Sequence, residues 1–255
     1  MADSAVISPP QKPERVSILG FPLDRVTIGE TKGLFEQYLS SSDSGTKLVL
    51  TADSNAFVSA EKDSNYRRIF SEASLITPDS AGPVWALEKV GKQVPGRVSG
   101  VDLLEVLCEL SSETGKSLYF LGAAPGVADA AAQKLKERFP KMIIAGVRDG
   151  FFPKSDDQIV AQSIAETKPD VLIVAMGMPR QELFILDTAS VIGAKIGIGV
   201  GGSLDVHSGM VKRAPVFIQK LRLEWFWRFI LNPRKIAKVR NLPIFYFKVR
   251  QMKAK

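Results

Sequence analysis

The sequence predicts an α/β fold: a largely parallel sheet with helices on both faces, followed by a basic helical appendage. Three observations predict it. Between residues 15 and 209, short apolar runs alternate with longer segments of helical period. Several of the short runs are nearly unbroken Val, Ile and Leu, as in Val171-Leu-Ile-Val-Ala175, which is the pattern of strands covered on both faces. After Gly209 the pattern gives way to Lys and Arg interleaved with Trp, Phe and Tyr.

Taken in order, residues 1–14 contain Pro9, Pro10 and Pro13 and lack an apolar core, so they read as a disordered tail and not a signal peptide. Strands are expected at Arg15–Leu19, Lys47–Thr51, Leu75–Thr77, Ser117–Leu121, Met142–Val147, Val171–Ala175 and Ala194–Val200. Helices are expected at Ile28–Ser40, Asn55–Ser64, Asn65–Ser71, Ala81–Val90, Gly100–Thr114, Gly126–Arg138, Asp156–Lys168 and Arg180–Ala189. The organisation is then a tail (1–14), an α/β domain (15–209) and an appendage (210–255). A chain of 255 residues can bury a full core without staples. Its single cysteine, Cys108, lies in an apolar run and reads as core, and no disulfide framework is possible, as suits a reducing compartment. No run is long and apolar enough to suggest a membrane span.

Charge is unevenly placed. From Lys212 to Lys255 there are thirteen Lys or Arg and one acid, Glu224, so this stretch carries about +12 of a total of +7 and the rest is near −5. An anionic partner is expected for it. The block Leu221–Leu231, with Trp225, Phe226, Trp227 and Phe229, is more apolar than a nucleic-acid-binding helix needs to be. Membrane-surface binding and docking on the domain explain it equally well, and nucleic acid less so.

Ligands of parallel sheets bind beyond the carboxyl ends of the strands. The segments there are Thr51-Ala-Asp-Ser-Asn55, Pro78-Asp-Ser-Ala-Gly82, Gly122-Ala-Ala-Pro-Gly126, Arg148-Asp-Gly-Phe-Phe-Pro153, Met176-Gly-Met-Pro-Arg-Gln-Glu182 and Gly201-Gly-Ser-Leu-Asp205. Gly122-x-x-Pro125-Gly126 opens a helix after a strand, where free N–H groups attract phosphate. It lacks a Walker lysine and the Gly-x-Gly-x-x-Gly of dinucleotide folds, and a tight strand-to-helix turn explains it equally well. Asp79 can serve as a general base, although capping the helix at Ala81 is the commoner use of such an Asp. His207 is the only histidine, so neither a zinc cluster nor a Gly-x-Ser-x-Gly triad is supported, and it reads as a structural loop residue. No Asp-x-Asp metal pair is present, and the adjacent Asp156 and Asp157 read as the start of a surface helix.

Taken together and in this order, these segments resemble the WecG/TagA/CpsF glycosyltransferases (glycosyltransferase family 26). Arg97-Val-Ser-Gly-Val-Asp-Leu103, Gly199-Val-Gly-Gly-Ser-Leu-Asp205 and Arg213-Ala-Pro with Leu223-Glu-Trp-Phe-Trp-Arg228 extend the match over nearly the whole chain. The resemblance implies a Rossmann-like fold, a UDP-sugar donor, inversion at the anomeric carbon and no required metal or cofactor. It further implies an undecaprenyl-diphosphate-linked acceptor and a cytoplasmic enzyme, peripheral on the inner face of the cell membrane. A homo-oligomer is compatible with it. Carried over by position, Asp79 matches the base and Thr51 a polar residue beside both sugars. Arg97 and Gln181 match donor-contacting positions. Gly122, Gly150, Phe151 and Asp205 fall where the nucleotide sits, and Arg228, Arg234, Lys235 and Lys238 match appendage cations over the pyrophosphate. Asp53, Pro125 and Glu182 complete the candidate substrate-binding set. The family usually has Thr-x-Asn where this chain has Thr51-Ala52-Asp53, and Pro-Asp-Gly where it has Pro78-Asp79-Ser80. The alternative from another class is a non-catalytic nucleotide-sugar-binding or RNA-binding protein.

Overall fold

The structure is a computed structural model that describes residues 12–211 and 241–252. The N-terminal tail before residue 12, the aromatic block at 221–231 and Arg228, Arg234, Lys235 and Lys238 lie outside the described residues.

Six strands form one parallel sheet: β3 (Lys47–Ala52), β4 (Leu75–Pro78), β5 (Ser117–Gly122), β6 (Ile143–Arg148), β7 (Val171–Ala175) and β8 (Ile196–Gly199), in the order β4-β3-β8-β7-β5-β6. Period-2 alternation sends side chains to two cores. Leu48, Leu50, Leu172 and Val174 face one core, and Val49, Val171 and Ile173 the other. The first core lies under α2 (Ser54–Ala60), α3 (Ser64–Glu72), α4 (Ala81–Lys89), α7 (Asp157–Glu166) and α8 (Arg180–Ile192). The second lies under α1 (Ile28–Ser40), α5 (Gly100–Thr114), α6 (Val127–Arg138) and α9 (Ser203–His207). The expected architecture is therefore present, and α1, α5 and β7 have the expected bounds.

The first expected strand is a correction. β1 (Glu14–Ile18) does not join the parallel sheet but pairs antiparallel with β2 (Phe21–Arg25), which the sequence reading missed. Pro22 and Asp24 make that segment look like a turn, yet Pro22 is tolerated on a two-stranded edge. The connection is Leu19-Gly20, both at positive φ (51° and 83°), as a two-residue hairpin turn requires. Asp24 is 1% exposed and joins the hairpin to β4. It accepts two bonds from Arg15 (2.7 and 2.8 Å) and one from the Ile76 N–H (2.8 Å), and it raises the Arg15 pKa through the first of these contacts. Asp24→Ala leaves the buried Ile76 N–H without its acceptor and takes the carboxylate from Arg15, so it should cost about 2 kcal/mol in chemical denaturation. A loss below about 1 kcal/mol would show that the clip is dispensable.

Two smaller expectations also change. Asp157 does start α7 as expected, but its side chain is buried and holds Arg180 of α8 by both carboxylate oxygens. His207 ends α9 instead of lying in a loop, its Nε2 3.3 Å from the Val101 carbonyl. Cys108 is fully buried, and desolvation pushes its thiol up to about 12, so it packs as a small apolar group.

Of the appendage, α10 (Asn241–Gln251) is described. Phe245 and Val249 are fully buried in the first core, between α2 and α4. The Phe245 ring lies 5.7 Å from that of Phe57. Gly82 admits this packing, because a Cβ there would come within 3.2 Å of the Phe245 ring and collide with the Ser54 hydroxyl. α10 is thus docked on the domain, while the aromatic block 221–231, for which docking and membrane binding were equally expected, lies outside the described residues.

Candidate functional site

All six parallel strands end on one edge, and two neighbouring depressions form there. The first is a cleft over the ends of β3, β4, β7 and β8, lined by Thr51, Asp53, Asn55, Asp79, Gly177, Met178, Gln181 and Gly201–Ser203 among others. The second is the crevice between β5 and β7. From β5 the chain moves outward to β6, and from β7 it moves the opposite way to β8. This is the switch point at which open sheets take ligands.

In the first cleft, Asp79 follows β4 directly. Its N–H donates to the Ala52 carbonyl (3.1 Å), which ties the loop to β3. Its Oδ1 accepts from the Gly100 N–H at the start of α5 (2.8 Å). Asp79 is therefore not the cap of α4. That position is Ser80, which makes no side-chain cap bond. Thr51 is buried and donates its hydroxyl to the Gly199 carbonyl (2.9 Å). Asp53 caps α2, accepting from the Ala56 N–H at 2.9 Å. Asn and Asp cap helices about equally well, so the start of α2 accepts either residue here.

Gln181 and Glu182 are buried in the first turn of α8. The Gln181 carbonyl accepts from the Gly177 N–H (3.0 Å) and the Gly201 N–H (3.1 Å), so one side chain clamps two strand-end loops. Its amide nitrogen donates to Glu182 Oε1 (2.6 Å). Gly197 and Gly199 make this possible. A Cβ on Gly197 would meet Ile185 at 2.3 Å, and one on Gly199 would meet Gln181 and Glu182 at 2.4 Å. Alternating glycines thus let α8 lie against β8. In this structure Gln181 shapes the cleft wall, and Glu182 supports it from beneath.

The second depression is built by close backbone approach. A Cβ on Gly122 would lie 2.5–2.7 Å from the Ala175 backbone, and one on Gly150 would lie 3.0 Å from Gly122 Cα and from Met176. The Ala123 N–H donates to the Ala175 carbonyl (2.8 Å), and the Gly150 N–H to the Ala123 carbonyl (3.0 Å). Ala124, Pro125 and Gly126 are exposed at the start of α6, and Gly126 takes φ 78° as its N-cap. Phe151 stands 75% exposed on the neighbouring loop, held by a turn in which its N–H donates to Asp149 (2.9 Å). Backbone amides at a helix start beside an open aromatic ring can take a phosphate and a flat base. Met176 and Gly177 join the two depressions into one edge.

Arg97 is half-buried in the segment beside β4, where the Val98 N–H donates to the Pro78 carbonyl (2.9 Å). Asp205 is half-exposed on α9 beside Gly202. Neither borders the first cleft. Asn55, Gly177, Met178 and Ser203 do border it but were absent from the expected site set. Asn55 had a visible signal, since it ends the polar run after β3. Among the described residues, no three His, Cys, Asp or Glu side chains gather as a metal site, and no helix is long and apolar enough to cross a membrane.

Residues 16–255 match the model of the glycosyl transferase WecG/TagA/CpsF family. The chain is 35% identical over 195 residues to an N-acetylglucosaminyldiphosphoundecaprenol N-acetyl-beta-D-mannosaminyltransferase of Bacillus spizizenii, covering 76% of this chain and 75% of that protein. It is 34% identical over 196 residues to the Bacillus subtilis enzyme of the same name, covering 77% and 76%. It is 29% identical over 241 residues to that of Staphylococcus aureus strain MRSA252, covering 94% of both. With a parallel sheet whose polar, glycine-rich strand ends converge on one edge, the chain belongs to the WecG/TagA/CpsF family and is a glycosyltransferase.

Proposed function

We propose that the chain transfers a hexose, of the N-acetylmannosamine type or a glucose or uronic acid, from a UDP donor to a polyprenyl-diphosphate-linked glycan. The reaction inverts the anomeric carbon and needs no metal. The observation that carries this reading is the convergence of Asp79, Thr51 and Asp53 in one cleft beside a glycine-built crevice at the switch point. The acceptor follows from the relatives, which are named for transfer to N-acetylglucosaminyldiphosphoundecaprenol.

In this reading UDP lies along Gly122, Pro125, Gly150 and Phe151, with Asp205 and Arg97 near its ends. Asp79 takes the proton of the acceptor hydroxyl, whose oxygen attacks the anomeric carbon as the bond to the UDP oxygen breaks. Arg228, Arg234, Lys235 and Lys238 stabilise the departing diphosphate. UDP release should require both a donor and a lipid-diphosphate-GlcNAc acceptor, and should persist in EDTA. Loss of release in EDTA with recovery on added Mn²⁺ would overturn metal independence. Tight UDP-sugar binding without release would instead favour a non-catalytic binding protein.

The same reading places the enzyme on the inner face of the cell membrane through residues 212–255. Its support is the charge of that segment together with the outer face of α10, where Ile244, Tyr246 and Phe247 are exposed and the Tyr246 ring lies 4.8 Å from that of Trp85. Cosedimentation with vesicles containing an anionic phospholipid should be strong at low salt and fall steeply with added NaCl. Equal sedimentation with neutral vesicles would contradict it.

A further inference from the structure

One group in the cleft wall has its orientation set from a distant part of the chain. Asn55 lies on α2 beside Asp53 and lines the cleft with Asp79. Its Oδ1 accepts from Asn241 Nδ2 at 2.5 Å, across 186 residues of sequence. Asn241 opens α10, which is seated by the buried Phe245 and Val249 and does not depend on this amide pair for its place.

A carboxamide has one acceptor oxygen and an NH₂ with two donor hydrogens. With the oxygen of Asn55 committed to Asn241, what the side chain can offer the cleft is its NH₂. The other side-chain donors of the described lining each already have a partner within the protein. Thr51 donates to the Gly199 carbonyl (2.9 Å), Ser203 to the Val200 carbonyl (2.6 Å) and the Gln181 amide to Glu182 (2.6 Å). Asp53 and Asp79 are acceptors. Without Asn55 this wall would match sugar hydroxyl protons but offer few side-chain donors to sugar oxygens.

We propose that Asn55 is a sugar-binding residue that donates to a ring hydroxyl or N-acetyl carbonyl oxygen, and that Asn241 is its positioning residue. The C-terminal helix thereby sets substrate affinity in the cleft. This rests on the glycosyl-transfer reading above.

The test measures KM for donor and acceptor separately in Asn55→Ala, Asn241→Ala and the double variant. Each single variant should raise one of the two KM values about tenfold, the equivalent of one hydrogen bond, with kcat within about threefold. The substrate whose KM moves identifies which sugar Asn55 holds. The double variant should be no worse than Asn55→Ala, because the two residues act as a unit. Asn241→Asp can only accept, so it would turn the Asn55 carbonyl toward the cleft and should raise KM further than Asn241→Ala. Unchanged KM in Asn241→Ala, additive effects, or a lower melting temperature with KM unchanged would overturn the proposal. If the wild-type chain binds sugars without turnover, the transfer reading falls by itself. Titration calorimetry with UDP-N-acetylmannosamine and a short-chain prenyl-diphosphate-GlcNAc then decides the matter. Equal affinity in wild type and Asn241→Ala, or no binding of either ligand, would overturn the role of Asn55.

Discussion

Asp79→Asn is expected to lower turnover by about 10²–10⁴-fold while shifting the melting temperature by no more than about 2 °C. The substitution is informative because of what it preserves. The introduced amide can still accept from the Gly100 N–H through its Oδ1, and the backbone N–H of the same residue can still donate to the Ala52 carbonyl. Both of these ties of the loop between β4 and α4 are kept, and the ability to take a proton is lost. KM for the UDP donor should change little, since the missing interaction acts on the acceptor hydroxyl in the transition state. Near wild-type turnover on a confirmed donor and acceptor would remove Asp79 from the role of base and return it to a purely structural tie between β4 and α5.

Gly122→Ala is expected to be the most damaging single-methyl change on the sheet. The added Cβ would lie 2.5 Å from the Ala175 carbonyl oxygen, and that carbonyl is already bonded to the Ala123 N–H at the join of β5 and β7. The strands would have to separate, at roughly 1–3 kcal/mol. The φ of 130° adds strain of about the same size, since only glycine adopts it readily. Together these should lower the melting temperature by roughly 10 °C, at about 2–4 °C per kcal/mol for a chain of this size. Gly126→Ala is the control: its Cβ would meet nothing within 4 Å, so it carries the strain of φ 78° alone and should cost about 1 kcal/mol. Equal melting temperatures for the two variants would mean that β5 and β7 are not in this contact.

These two sites show how differently residues of one motif can be used. In Gly122-Ala-Ala-Pro-Gly126 the sequence left a phosphate loop and a tight turn equally open. The structure accounts for Gly122 by the backbone of the neighbouring strand and for Gly126 by a left-handed N-cap. Both glycines are thus needed by the fold before any ligand is considered. Gln181 is similar. Its side-chain carbonyl spans the Gly177 and Gly201 amides, a use that depends on where two loops distant in sequence come to lie. The Ile196-Gly-Ile-Gly199 strand carried the clearest unread signal, since glycine at alternate positions on one face of a buried strand marks a helix pressed against it.

By itself the sequence determined the α/β class, the bounds of most strands and helices, and the edge on which the chemistry must lie. These follow from periodicity and from polar residues after each apolar run, which are local properties. It could neither find β2 nor separate β1 from the main sheet, because their pairing depends on the Leu19-Gly20 turn and on Asp24 reaching Arg15 and Ile76, contacts that composition does not encode. Nor could it say which polar residues share a cleft. Strand order decided that: β3 beside β8 joins Thr51 to Gly199 across 148 residues, and α10 between α2 and α4 brings Asn241 to Asn55. Such meetings are set by how whole faces pack, so only the tertiary structure fixes them.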